Sequence, residues 1–311
     1  QQVAHSWRNA SQWSDERLAD RIRVDKIDIL IDLSGHTAGH RLGMFARKPA
    51  PIQVTAWGNA TGTGLPTIDY LFSDPIAIPA AVRHLFAEKI HDLPCLMIID
   101  AVKAGLRSTE PPFLSKGHRT YGVFNRIDKI SENSIRVWAR ILLSDAKARL
   151  LIKNNAVNDQ FIRSMLLERF SGHGVVADRI DLLGSSPREE HLAAYRQVDI
   201  CLDPFPQNGG VSTWEALHMG VPVVAKLGDS VPSRASGAIL SAAGMSDWVA
   251  ADEDEYIQIA LKAASTPERL RAIRHELPAR IASSSGCHPA VYAKAVEDAY
   301  RAMWKDYCER R

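Results

Sequence analysis

Cysteine is scarce in this chain and dispersed. Four occur in 311 residues, Cys95, Cys201, Cys287 and Cys308, and no two stand in CxxC spacing. That excludes a zinc knuckle or a disulfide framework by spacing and fits a reduced, cytoplasmic setting. No run of about eighteen or more apolar residues exists to make a transmembrane helix. Charge of one sign is also lacking: 38 Lys and Arg face 36 Asp and Glu, for a net +2. With the basic residues scattered, neither a nucleic-acid footprint nor a membrane-surface footprint is expected. There are no internal repeats and no low-complexity tracts. The chain opens on Gln1 without a basic-then-apolar leader, so its start reads as a truncation rather than a signal peptide.

What is present is a chain able to bury a sizeable core. It is 46% hydrophobic and 24% charged, and its length suggests two domains. Its organising stretch runs from Asp199 to Ala225. An apolar strand, Asp199-Ile-Cys-Leu-Asp203, leads through Pro204-Phe-Pro-Gln-Asn208 into Gly209-Gly210, which opens a helix at Val211-Ser212-Thr213. A strand feeding a glycine turn and then a helix leaves unpaired N–H groups at the positive end of the helix dipole, a place to hold phosphate. Ser212 and Thr213 can cap the helix or donate to such a ligand, and Glu215, one turn in, can accept from a sugar hydroxyl. An ordinary βαβ crossover would give the same spacing.

The first hundred residues alternate between helix and strand. A polar helix over 11–24 turns Leu18, Ile22 and Val24 inward, and the strand 27–33 is apolar enough for burial on both faces. His36 and His40 follow it, read as solvated loop residues with no metal-binding context. A short helix over 41–47 precedes the strand 52–57, which runs into a loop carrying Gly58, Asn59, Gly62 and Gly64, either a flexible turn or a close-approach binding loop. Strands at 69–74 and 88–93 end this domain at 1–99, and residues 100–118 have linker composition. Alternation restarts over 119–285, with strands at 121–124, 148–153, 179–183, 199–203 and 221–225 separated by helices. This reads as a doubly wound α/β domain. A C-terminal helix occupies 286–311, with Trp304, like Trp138, read as core.

The ordered motifs carry a resemblance. Asp28-Ile-Leu-Ile-Asp-Leu-Ser-Gly-His-Thr37, Lys48-Pro-Ala-Pro-Ile-Gln53, Trp57-Gly58 with Gly62-Thr-Gly64, Ile68-Asp-Tyr70 and Phe124-Asn-Arg-Ile-Asp-Lys-Ile130 come first. Pro187-Arg-Glu-Glu-His191, Asp199–Asp203, Asn208-Gly-Gly210, Glu215-Ala-Leu, Gly220-Val-Pro222, Ser233-Arg234 and Ala302-Met-Trp304 follow. Together they resemble the catalytic region of the O-linked N-acetylglucosamine transferase family, which includes SPINDLY-type plant proteins and bacterial homologues usually preceded by tetratricopeptide repeats.

The resemblance implies a GT-B architecture: two Rossmann-like doubly wound domains facing a cleft, the N-terminal one incomplete. It implies an inverting, metal-independent glycosyltransferase that moves a sugar, N-acetylglucosamine from UDP above all, onto Ser or Thr hydroxyls of proteins. No metal or other cofactor accompanies the nucleotide sugar. By position, Lys129 matches the family lysine on the donor diphosphate and Arg126 a neighbouring nucleotide-binding position. Ser186, Arg188 and His191 match the base-recognition segment, Glu215 the ribose-binding acid, and Asn208, Gly209, Gly210, Ser212 and Thr213 the diphosphate loop. Gly58, Asn59, Gly62 and Gly64 match the sugar-facing loop. Glu190 and Arg196 read as solvated helix charges. Val211 stands where relatives often carry threonine, and the family's upstream histidine motif and repeats are expected before Gln1. A protein fucosyltransferase using GDP-fucose, a non-catalytic nucleotide-sugar-binding module and, more remotely, a GT-B-like epimerase are the alternatives.

Overall fold

The computed structural model describes residues 4–58, 61–100, 102, 104–107, 110–284 and 288–310. The chain divides into two compact units, Gln1–Leu96 with Ala293–Arg311, and Met97–Tyr292.

In the first unit, α1 (Asp15–Val24), β1 (Ile29–Asp32), α2 (Leu42–Phe45), β2 (Ile52–Thr55), β3 (Tyr70–Ser73) and β4 (Lys89–Asp92) build a parallel sheet in chain order, β1-β2-β3-β4. Ser14 caps α1 by accepting from Arg17 N–H, and Ala19 and Ile22 bury its inner face. Val24 is corrected to an outward position, 68% exposed at the helix end. The expectation of a strand buried on both faces fails for β1 because it is an edge strand: Ile29, Leu30 and Ile31 are half-buried, and Leu33 just beyond it is 59% exposed. The motifs around Lys48, Gln53 and Asp69 form an internal lock. Lys48 pairs with Asp69, which also accepts Gln53 N–H at 2.7 Å, while Gln53 Nε2 donates to Thr67 O at 2.7 Å. The C-terminal helix (Pro289–Glu309) lies on this sheet, where Tyr70 Oη donates to Asp306 at 2.9 Å and the Phe72 and Tyr300 rings stand 5.7 Å apart. Ala299 and Met303 are its buried residues there; Trp304 is one position round, 36% exposed and stacked on Tyr307, so its reading as core is corrected.

The second unit begins with α3 (Phe113–Lys116), β5 (Thr120–Val123), α4 (Glu132–Ser144), β6 (Arg149–Lys153), α5 (Gln160–Gly172), β7 (Ile180–Leu183), α6 (Arg188–Ala193) and β8 (Ile200–Leu202). It continues through α7 (Val211–His218), β9 (Val223–Lys226), α8 (Ala235–Ala242), β10 (Val249–Ala250), α9 (Glu253–Ser265) and α10 (Pro267–Ser283). All strands are parallel, in the order β10-β9-β8-β5-β6-β7. The order reverses between β5 and β8. Ligand crevices of open α/β sheets form at the carboxyl ends of strands at such a reversal. Gly122 in β5 permits close packing against the chain entering β8, since a Cβ would stand 2.6 Å from Val198 Cγ1.

Helix α4 is capped by Ser131 and buries Ile135, Trp138, Ile141 and Leu142 completely, as its periodicity predicts. Trp138 Nε1 donates to Tyr256 Oη at 3.2 Å, and Tyr256 Oη donates to Asp203 O at 3.0 Å, so a buried relay ties α4 and α9 to the end of β8. Tyr256→Phe leaves an indole N–H and a carbonyl unpaired in the interior, a cost of about 2 kcal/mol. Urea unfolding should show that loss; an unchanged midpoint would mean the relay contributes nothing.

Candidate active site

The loops that end β5 and β8 meet at the strand-order reversal. After β5, Phe124 and Asn125 lead into a tight turn, Ile127–Lys129. Lys129 is half-buried, and its Nζ donates to Asn208 O at 2.5 Å. Burial pushes the ammonium below its usual range, while the nearby Asp203 opposes that shift. Arg126 behaves differently: it is exposed and pairs with Asp128 at 2.9 Å.

After β8, Asn208 is buried. Its amide donates to Pro204 O at 3.1 Å and Lys226 O at 3.3 Å, and its Oδ1 is buried without a partner. Gly209 N–H is directed onto the Asp203 carboxyl, 2.9 Å from Oδ1. Gly210 caps α7 with backbone alone, leaving the first-turn amides to whatever docks there. Ser212 Oγ accepts from Asn125 Nδ2 at 3.1 Å, whereas Thr213 Oγ1 is paired in the interior with Ser236 Oγ at 2.8 Å. Val211 is 48% exposed.

One turn further, Glu215 is buried and bound on several sides. Arg188 pairs with its Oε1, His191 Nε2 stands 3.3 Å from Oε2, and Tyr195 Oη donates to Oε2 at 3.4 Å. Burial pushes this carboxyl up, but the hydrogen bonds from His191 and Arg188 more than offset it, so Glu215 lies below the usual range and is a carboxylate at neutral pH. The Phe124 ring stacks on Tyr195 at 3.7 Å and His191 stands edge-on to Phe124 at 5.8 Å, fixing the imidazole.

Beside this cluster a cavity of about 280 Å³ opens at the ends of β5, β6 and β7, walled by Phe124, Arg126, Lys153, Asn154, Ser186 and His191. Ser186 Oγ is buried there without a partner, so a ligand with a donor or acceptor would satisfy it. Lys153, 5% exposed, donates from Nζ to Gly184 O at 2.8 Å, and burial pushes its ammonium down. The structure therefore gathers Lys129, Asn208, Gly209, Gly210 and Ser212 in one group and Ser186, Arg188, His191 and Glu215 in an adjoining one. Lys153, Asn125, Tyr195 and Asp203 join them without having been singled out by sequence. Lys153 and Asp203 each end an apolar strand, a signal that was available. Arg196 is exposed, as read, yet it donates to Leu106 O at 2.7 Å and Gly105 O at 2.8 Å, which ties the 104–106 turn to the end of α6.

The glycine loop belongs to the first unit. A Cβ on Gly58 would stand 1.6 Å from Leu33 O, so only glycine lets this loop cross the end of β1. Trp57 before it holds φ 56°, and Gly64 holds φ +75°. Between them, Gly62 lies against Phe86, and Thr63 N–H donates to Glu88 at 2.6 Å. Asn59 lies outside the described residues.

Comparisons with known proteins bear on the family and the fold. The family model described as "Glycosyl transferase family 41" matches residues 4–107 and 113–296. A probable UDP-N-acetylglucosamine–peptide N-acetylglucosaminyltransferase SPINDLY from Arabidopsis thaliana is 36% identical over 305 residues, covering 97% of this chain and 33% of its own length. The structure of a Thermobaculum terrenum O-GlcNAc transferase mutant superposes with TM-score 0.88 at 34% identity, over 99% of this chain and 59% of that one. Sucrose-phosphate synthase from Thermosynechococcus elongatus shares the fold alone, with TM-score 0.62 at 12% identity over 97% of this chain and 81% of that one. The chain thus spans about a third of the length of the curated relative. Its two parallel-sheet α/β units are of the GT-B class, and the chain belongs to glycosyl transferase family 41.

Proposed function

We propose that this chain is the donor-binding region of a protein glycosyltransferase that moves N-acetylglucosamine from UDP-N-acetylglucosamine to Ser or Thr hydroxyls of protein acceptors. The observation that carries the reading is the convergence, at the β5/β8 reversal, of the Lys129 ammonium, the Ser212 hydroxyl and the open N-terminus of α7, beside the Glu215–Arg188–His191 cluster. The first group suits a diphosphate, and the second suits a ribose and base.

In an inverting transfer the acceptor oxygen bonds to the anomeric carbon as the bond to the diphosphate oxygen breaks on the opposite face. The electron pair leaves with the diphosphate, and the acceptor proton goes to a base. Charge therefore accumulates on the diphosphate, and preorganised donors there lower the barrier. Lys129, Ser212 and the α7 dipole supply such donors, which supports transfer without a metal ion. Glu215 is held as an ionised acceptor suited to vicinal ribose hydroxyls. The sugar-facing role of the Gly58–Gly64 loop, upstream tetratricopeptide repeats and a cytoplasmic location belong to the same reading.

Calorimetric titration with UDP-N-acetylglucosamine, UDP and GDP-fucose, each with EDTA, tests it. The expected result is micromolar UDP-linked binding, about 8 kcal/mol. Lys129→Ala should weaken it by about tenfold to a hundredfold through loss of a charge-assisted contact. Preference for GDP-fucose would replace the sugar assignment with fucose. No binding, or an unaffected Lys129→Ala, would contradict the donor site.

A further inference from the structure

Asp203 is 2% exposed at the end of β8. Its carboxyl accepts Gly209 N–H at 2.9 and 3.1 Å, Asn125 Nδ2 at 3.4 Å and the Ser236 hydroxyl. The contact with the turn is tight: a Cβ on Gly209 would stand 2.6 Å from Asp203 Oδ1 and 2.5 Å from Thr213 Oγ1. Asn125 bridges the carboxyl to Ser212 Oγ, and Tyr256 fixes the Asp203 backbone from behind. One buried carboxyl thus sets the turn, the Ser212 hydroxyl and the start of α7.

The Lys129 ammonium that offsets burial at this carboxyl, and the α7 entry that the carboxyl holds in place, are the groups proposed to receive a diphosphate. Two anions on either side of one half-buried ammonium and one helix entry repel, and the weaker acid gives way by taking a proton. We propose that Asp203 is a positioning residue for the donor, holding the Gly209–Thr213 turn in shape and taking up one proton from solvent when the diphosphate enters. This rests on the nucleotide-sugar reading of the site.

The surrounding groups agree. Lys129 supplies the opposing charge from the turn after β5. Cys201 on β8, Tyr195 after α6 and Tyr256 on α9 are pushed far up by burial and stay neutral. On α7, Glu215 is engaged by Arg188 and His191, and on β9 the Lys226 ammonium stands over the Phe205 ring at 5.3 Å. Burial pushes the Asp203 carboxyl itself up to about 7, against the hydrogen bonds it accepts, so the proton is available to it near neutral pH.

The test is calorimetric titration of the whole chain with UDP-N-acetylglucosamine, and in parallel GDP-fucose, from pH 6 to 8.5 in buffers of different ionisation heat. Neither diphosphate diester titrates in that range, so proton uptake belongs to the protein. The free carboxyl titrates near 7 and the bound one higher, so affinity should be flat below pH 7 and fall up to about tenfold per pH unit above it, with close to one proton taken up. Asp203→Asn keeps an acceptor for Gly209 and should bind with no uptake and no slope, at least as tightly as wild type at pH 8. Asp203→Ala should lose about tenfold at every pH. Wild-type binding without proton uptake between pH 7 and 8, or an Asp203→Asn profile identical to wild type, overturns the inference alone. Binding of neither sugar nucleotide by wild type at any pH overturns the donor-site reading and this inference with it.

Discussion

Everything in the second unit follows from the reversal of strand order between β5 and β8. Chain leaving β5 turns to one side of the sheet and chain leaving β8 to the other, so no crossover helix covers the carboxyl ends of these adjacent strands. The backbone polar groups exposed there must be satisfied by loops, side chains or a ligand. The protein answers with a buried polar network, Asn125, Asp203, Ser212 and Ser236, rather than with apolar packing. Such a network specifies one loop conformation only when its members are satisfied together. That is how a flexible Gly209-Gly210 sequence becomes a rigid entry to α7.

The electrostatics divide along the same line. On the β8 side, positive character from Lys129 and the α7 N-terminus surrounds a carboxyl that burial makes reluctant to ionise. On the α6 side, Glu215 is equally buried but stays ionised because Arg188 and His191 donate to it. Two buried acids are thus tuned in opposite directions: burial outweighs the donors at Asp203 and lifts it to about 7, whereas the hydrogen bonds from His191 and Arg188 outweigh burial at Glu215 and lower it. An anion-receiving surface and a hydroxyl-receiving one can then adjoin each other.

Much of this was legible in the residues. The apolar run Asp199–Asp203, the glycine pair and the hydroxyls after it place the α7 entry correctly, and the α4 stripe at Ile135, Trp138, Ile141 and Leu142 is wholly buried as its spacing requires. The partners within the site were not legible, because they are joined by tertiary contacts far apart in sequence: Asn125 meets Ser212 across 87 positions, and Tyr256 meets Asp203 across 53. Arg196 illustrates the same limit, since its exposure was readable but its two carbonyl acceptors were not. The misplaced residues, Val24, Leu33 and Trp304, sit at an element end, beyond an edge strand and at the border of a helix face. Hydrophobicity marks those positions as candidates for burial, and only the neighbouring elements decide whether anything covers them.

In the proposed function, a sugar nucleotide docks on the second unit at the α7 entry and the α6–Glu215 cluster. Amide hydrogen exchange, measured with and without saturating UDP-N-acetylglucosamine, tests it most directly. Exchange should slow with ligand, concentrated at Gly209–Thr213 and Ser186–Tyr195. Saturating ligand that leaves both segments unprotected, or protects only Gln1–Leu96, would contradict it.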